Sequence, residues 1–132
     1  MAKNSQNSGR GPSQRQLRVG ELIRRALSDI LNRGEIHDPD LNRMSITVGE
    51  VRTSPDLRIA TAFILPLGGH GKEDALAALR ENRHEIRHAV TKKLTLKFSP
   101  EIRFRIDETF DRLDTTREMF ADENVRRDLD SD

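Results

Sequence analysis

The sequence predicts an α+β domain of order α-β-β-α-α-β: a three-stranded mixed sheet with helices packed on one face and flexible termini. Two observations predict it. Apolar residues recur at spacings of three and four over 14–32, from about 72, and over 84–97, whereas short β-type runs, two of them cleanly alternating, cover 44–48, 57–65 and 102–106. Gly, Pro and Asp clusters fall between these segments, where turns belong.

Residues 1–13 are polar and hold Gly9, Gly11 and Pro12, so they lack the apolar surface to order themselves and read as a disordered arm. Ser13 is placed to cap a first helix over 14–32, which Gly34 stops. Val19, Ile23, Ala26, Leu27 and Ile30 share one side of that helix, and Arg18 and Arg25 lie one heptad apart on its flank. His37-Asp38-Pro39-Asp40 reads as a turn. Met44, Ile46 and Val48 alternate with Ser45 and Thr47 as a half-buried strand. Thr53-Ser54-Pro55-Asp56 turns the chain into a second strand over 57–65, with Ile59, Phe63 and Leu65 assigned to the inner face and an antiparallel, hairpin-like pairing. Pro66 and Gly68-Gly69-His70-Gly71 end it.

A second helix starts near Lys72 with Ala75, Leu76 and Leu79 inward. A third spans 84–97 with Ile86, Val90 and Leu94 as its stripe, until Ser99-Pro100 stops it. The last strand, 102–106, points Ile102, Phe104 and Ile106 inward and Arg103 and Arg105 outward. Phe63, Phe98 and Phe104 are expected in the core. Beyond Asp107 the pattern weakens to one possible short helix carrying Phe110, Leu113, Arg117 and Phe120. The chain thus divides into an arm (1–13), a domain (14–107) and an acidic tail (108–132).

Composition narrows the function. The 132 residues suit one domain plus tails, and 34% hydrophobic against 34% charged residues implies a modest core. With no cysteine, disulfides and thiolate metal sites are excluded. No run approaches the roughly 20 apolar residues of a membrane span, and the first twelve residues lack the apolar stretch of a secretory signal. A cytoplasmic chain with no membrane partner is expected. The net charge of +1 hides an asymmetry: residues 107–132 hold ten Asp or Glu and four Arg, net −6, which leaves +7 for the rest. A basic body with an acidic tail points to an anionic partner.

The third helix carries the candidate chemistry. His84, Arg87, His88 and Lys92 project away from the apolar stripe, Lys93 flanks it, and Arg80 and Arg83 extend the basic surface into the preceding helix. Arg18 and Arg25 are second candidates. Such a face neutralises phosphates with release of counterions, which is how RNA is docked. The plainer reading is a solvated helix face. Arg103 and Arg105 divide equally between contributing to RNA binding and serving solubility. Five Phe and no Trp or Tyr leave no stacking platform on the strands, so recognition rests on backbone and shape. Gly68-Gly69-His70-Gly71 spells G-x-x-G but follows a strand, where a nucleic-acid clamp of that kind joins two helices. His84 and His88 give only two ligands, short of a zinc set. No nucleophile–base pair or phosphate-binding loop stands out, so neither catalysis nor a cofactor is expected.

Five segments in order resemble the ribosome-binding factor A family of bacterial small-subunit maturation factors. They are Arg18-Val19-Gly20-Glu21-Leu22-Ile23; His37-Asp38-Pro39-Asp40-Leu41; Ser45 to Val51 followed by Ser54-Pro55-Asp56-Leu57; Ile86-Arg87 through Leu94-Thr95-Leu96-Lys97; and Pro100-Glu101-Ile102-Arg103-Phe104. The resemblance covers about 14–120. It implies a type-II KH-like fold, binding to the 30S subunit and its 16S rRNA as a monomer without small-molecule substrate, and a role in late rRNA processing, ribosome biogenesis and cold adaptation. One departure is local: the family's Ala-x-Gly kink between the last two helices is replaced by Asn82-Arg83-His84. The alternative from another class is a ferredoxin-like protein-interaction or small-ligand regulatory domain.

Overall fold

In the computed structural model, residues 11–67 and 71–108 are described. Helix α1, Gln14–Asn32, starts where a local capping pattern permits. Ser13 Oγ accepts from the Gln16 amide at 3.2 Å, and the Ser13 amide donates to Gln16 Oε1 at 2.9 Å. It ends at Arg33, and Gly34 follows with φ +63°, a conformation that costs glycine nothing. Ile23, Ala26, Leu27 and Ile30 are buried, as their spacing predicts.

The segment expected as a turn is instead a short helix, α2, Pro39–Arg43. Asp38 Oδ1 accepts from the amides of Asp40 (2.9 Å) and Leu41 (3.3 Å). A proline cannot continue a helix, but in the first turn its missing N–H is not needed. The turn of helix inserts Leu41 into the core.

Strand β1 (Ser45–Thr53) pairs antiparallel with β2 (Ile59–Leu67), with a bulge at Gly49 between Val48 and Glu50. Helices α3 (Lys72–Glu81) and α4 (Arg83–Leu94) carry the chain across to β3 (Glu101–Ile106), which pairs parallel to β2. The mixed sheet has the order β1-β2-β3. Helix α1 lies over β1, while α3 and α4 lie over β3, and α4 also packs on α1.

Three packing expectations are corrected. The inner face of β2 is Ala60, Ala62 and Ile64, all fully buried, not Ile59, Phe63 and Leu65. The side chains that lie under the helices are mostly small, which lets the layers approach closely. Bulk therefore misleads about which parity points inward. Phe63 lies on the other face, with the Arg52 guanidinium 5.0 Å from its ring centre. Phe98 is half exposed, not core. Helix α4 stops at Leu94 because Thr95 turns left-handed (φ +49°), so Lys97 belongs to the connection into β3. The N-terminal arm up to residue 10, Gly68-Gly69-His70, and the tail segment with Phe110, Leu113, Arg117 and Phe120 lie outside the described residues.

Candidate nucleic-acid interface

The junction of α3 and α4 aims the basic side chains. One residue, Asn82, ends α3 and begins α4. Its side-chain amide donates to the Ala78 carbonyl at 2.8 Å and to Asp38 Oδ2 at 2.6 Å. The bend is thus tied to the cap of α2, and the hydrogen bond from Asn82 is the main cause holding the Asp38 carboxyl below its ordinary range. Below the bend, Ile86 and Val90 are fully buried and Leu94 is half buried, so α4 presents its polar side outward.

Between this junction and the edge strand β3 runs a groove of about 690 Å³. Arg80, Arg83, His84 and Arg87 line it from the helices, and Arg103 and Arg105 line it from β3. Its one acid is Glu101, which pairs with Arg103 at 2.9 Å. Five guanidinium groups around one concave edge suit a polyanion, because Arg presents a fork of donors to phosphate oxygens and stays charged.

The members differ in freedom. The side chains of Arg83, His84 and Arg105 are exposed and carry no hydrogen bond or ion pair among the described residues. Arg80 donates weakly to the Phe104 carbonyl at 3.4 Å. Arg87 is half buried and structural as well: its Nε donates to Ser99 Oγ at 2.9 Å and its terminal nitrogen to the Ser99 carbonyl at 2.5 Å. Thr91 Oγ1 lies 2.7 Å from the same Ser99 hydroxyl. Arg87 therefore holds the connection that feeds β3 while one side of it faces the groove.

The other predicted residues lie elsewhere. His88 and Lys92 are exposed farther along α4, outside the groove lining. Lys93 is engaged by acids, with Nζ 2.9 Å from Asp29 Oδ2 and 3.1 Å from Glu35 Oε2. The hydrogen bond to Asp29, then that to Glu35, raises Lys93 above the usual lysine value, and Lys93 in turn lowers Asp29. Arg25 pairs with Glu21 at 3.2 Å, a carboxyl lowered to about 2 chiefly by its hydrogen bond with Arg24. Arg18 is exposed and unpaired among the described residues. Both stand on α1, over β1 and away from the β3 edge.

The sequence matches the family described as Ribosome-binding factor A over residues 15–120. The chain belongs to the ribosome-binding factor A family. A curated relative, Ribosome-binding factor A of Dinoroseobacter shibae, is 72% identical over 98% of this chain and 96% of its own length. Among solved structures, the solution structure of a Thermotoga maritima putative ribosome binding factor A matches with TM-score 0.61 and 26% identity, covering 76% of this chain and 93% of that one. A homology model of the Thermus thermophilus ribosome binding factor A, fitted into a cryo-electron-microscopy map of a 30S complex of that factor, matches with TM-score 0.55 and 21% identity over 67% of this chain and 90% of that one. These likenesses fix the ribosome-binding factor A fold. Within it, Asn82 turns the α3–α4 junction into a polar lock on Asp38, and Arg83 and His84 line the groove beside it.

Arg103 and Arg105 were only open options in the sequence, though their outward parity on the last strand was readable. Their meeting with the helical arginines was not, since it depends on the parallel pairing of β3 with β2. Among the described residues, no group of three or more His, Asp or Glu is placed to hold a metal, and no helix is long and apolar enough to cross a membrane.

Proposed function

We propose that this chain is a non-enzymatic assembly factor that docks on the immature 30S subunit through its 16S rRNA and favours one RNA conformation during late maturation and 5′-end processing. Family membership supports the ribosomal setting, as does the 30S complex of the Thermus relative. The observation that carries the RNA reading is the groove in which Arg80, Arg83, His84, Arg87, Arg103 and Arg105 converge. Arg83 and Arg105 bind phosphate, Arg103 does so by exchanging its pairing with Glu101 for the phosphate, and Arg80 and Arg87 do so while bracing the site. His88 and Lys92 extend the same surface along α4. Lys93, Arg25 and Arg18 are secondary, the first two because carboxylates already neutralise them and Arg18 because it stands on α1, apart from the groove. Residues 14–107 form the working unit, a cytoplasmic monomer. Binding energy spent on one RNA arrangement shifts its population, and release follows when that arrangement is complete.

The test is crosslinking of the protein to purified small subunits with both partners mapped. Crosslinks concentrated at Arg83, Arg103 and Arg105 and joined to 16S rRNA support the reading. Crosslinks confined to α1, or to ribosomal proteins alone, would remove the groove from the account.

A further inference from the structure

The face of the sheet opposite the helices has no partner among the described residues, and it is patterned. Along β2, Ile59, Thr61, Phe63 and Leu65 point to this face and are only half buried, and Leu67 is exposed. Pairing sets Arg103 beside Thr61 and Arg105 beside Phe63, and Arg52 lies over the Phe63 ring from β1. The face is therefore an apolar row flanked by an arginine row.

The 24 residues after Glu108 leave directly from the end of β3, and their sequence carries the complementary pattern. Phe110, Leu113 and Phe120 recur at three and seven, as one side of a helix would require, a side that also includes Arg117. Asp111, Asp114 and Glu118 recur at three and four on the adjacent side. Eleven helical residues measure about 16 Å, comparable to the roughly 20 Å of strand between Ile59 and Leu65. Residues 109–132 carry eight acids and four arginines, of which 109–120 hold three acids and two arginines, and attachment beside the face gives the segment a local concentration on the order of millimolar.

We infer that residues 109–120 dock on the open face of the sheet, apolar row on apolar row and acids on Arg103 and Arg105, and so compete with polyanion for the β3 side of the groove. The competition rests on the RNA reading above, while the docking does not. The apolar contact supplies the register, and the acid–arginine contact makes docking sensitive to salt.

The absence of cysteine allows a single nitroxide label at Thr115→Cys in the full chain. At low salt, amide signals of Thr61, Phe63, Arg103 and Arg105 should broaden relative to the reduced label. They should recover when Phe110, Leu113 and Phe120 are changed to Ala, or when salt is raised. Unbroadened signals at low salt, or broadening indifferent to the three alanines, overturn the docking. Addition of a short RNA hairpin should then recover the signals, and Asp111→Asn/Asp114→Asn/Glu118→Gln should bind that hairpin several-fold more tightly. A hairpin that binds without displacing the segment overturns the competition. A hairpin that fails to bind even the neutralised variant counts instead against the RNA reading, leaving the docking standing on the label data.

Discussion

Gly20 measures how closely α1 approaches the sheet. A Cβ at that position would stand 2.5 Å from the Val51 carbonyl oxygen, and a backbone atom cannot swing aside as a side-chain tip can. Gly20→Ala is expected to cost about 1–3 kcal/mol, read as a lower urea midpoint; an unchanged midpoint would mean that α1 slides freely over β1. Thr95 carries the opposite expectation. A β-branched residue at φ +49° is strained, so Thr95→Gly should gain about 0.5–1 kcal/mol after the entropy of the freer chain is subtracted. A loss of stability would show that the threonine makes a contact worth more than its strain. The Asp29–Lys93 pair makes stability depend on pH. Asp29 is lowered in the fold by Lys93, so its contribution is complete above the unfolded carboxylate value of about 4 and disappears as the pH falls through the lower folded value. Lys93 is raised, so its share is complete below the unfolded lysine value and is lost as the pH rises through the folded one. The melting-temperature gap between wild type and Asp29→Asn should be widest near neutrality and close in acid. A gap that persists into strong acid contradicts the pairing.

At the scale of elements, the α3–α4 junction is a lock whose state can be read from one carboxyl group. Asn82→Ala removes the donor that lowers Asp38, so the Asp38 titration seen by NMR should move up toward the ordinary aspartate range. An unmoved titration would show that the contact is not kept in solution. The elements also show what the sequence made legible. Helix α1 was readable because its cap, period and glycine stop are all local. Helix α2 was not, because Asp-Pro opens a turn and a helix equally well, and only the insertion of Leu41 into the core decides between them. The parity of β2 was misread because large residues were assigned inward, whereas the helices close on Ala60 and Ala62. The outward side of α4 was readable from Ile86 and Val90. The engagement of Lys93 was not, since Glu35 lies 58 residues away in the chain.

At the scale of the molecule, the proposed docking depends on charge layout more than on net charge. The +1 total is the sum of a basic body and an acidic tail. Among the described residues Arg83 and Arg105 stand unpaired at the β3 edge, whereas on α1 Arg24 and Arg25 share Glu21, and Arg15 and Arg18 are unpaired but lie apart from the groove. A phosphate-binding edge makes affinity fall linearly in log–log form with salt. The most direct measurement is the affinity of purified small subunits for wild type and for Arg83→Glu/Arg105→Glu across a range of salt, with melting curves to verify the fold. The groove account predicts an intact variant that binds more weakly at low salt, with a slope shallower by roughly 0.7–0.9 for each phosphate contact removed. A folded variant with the affinity and salt slope of the wild type would contradict it.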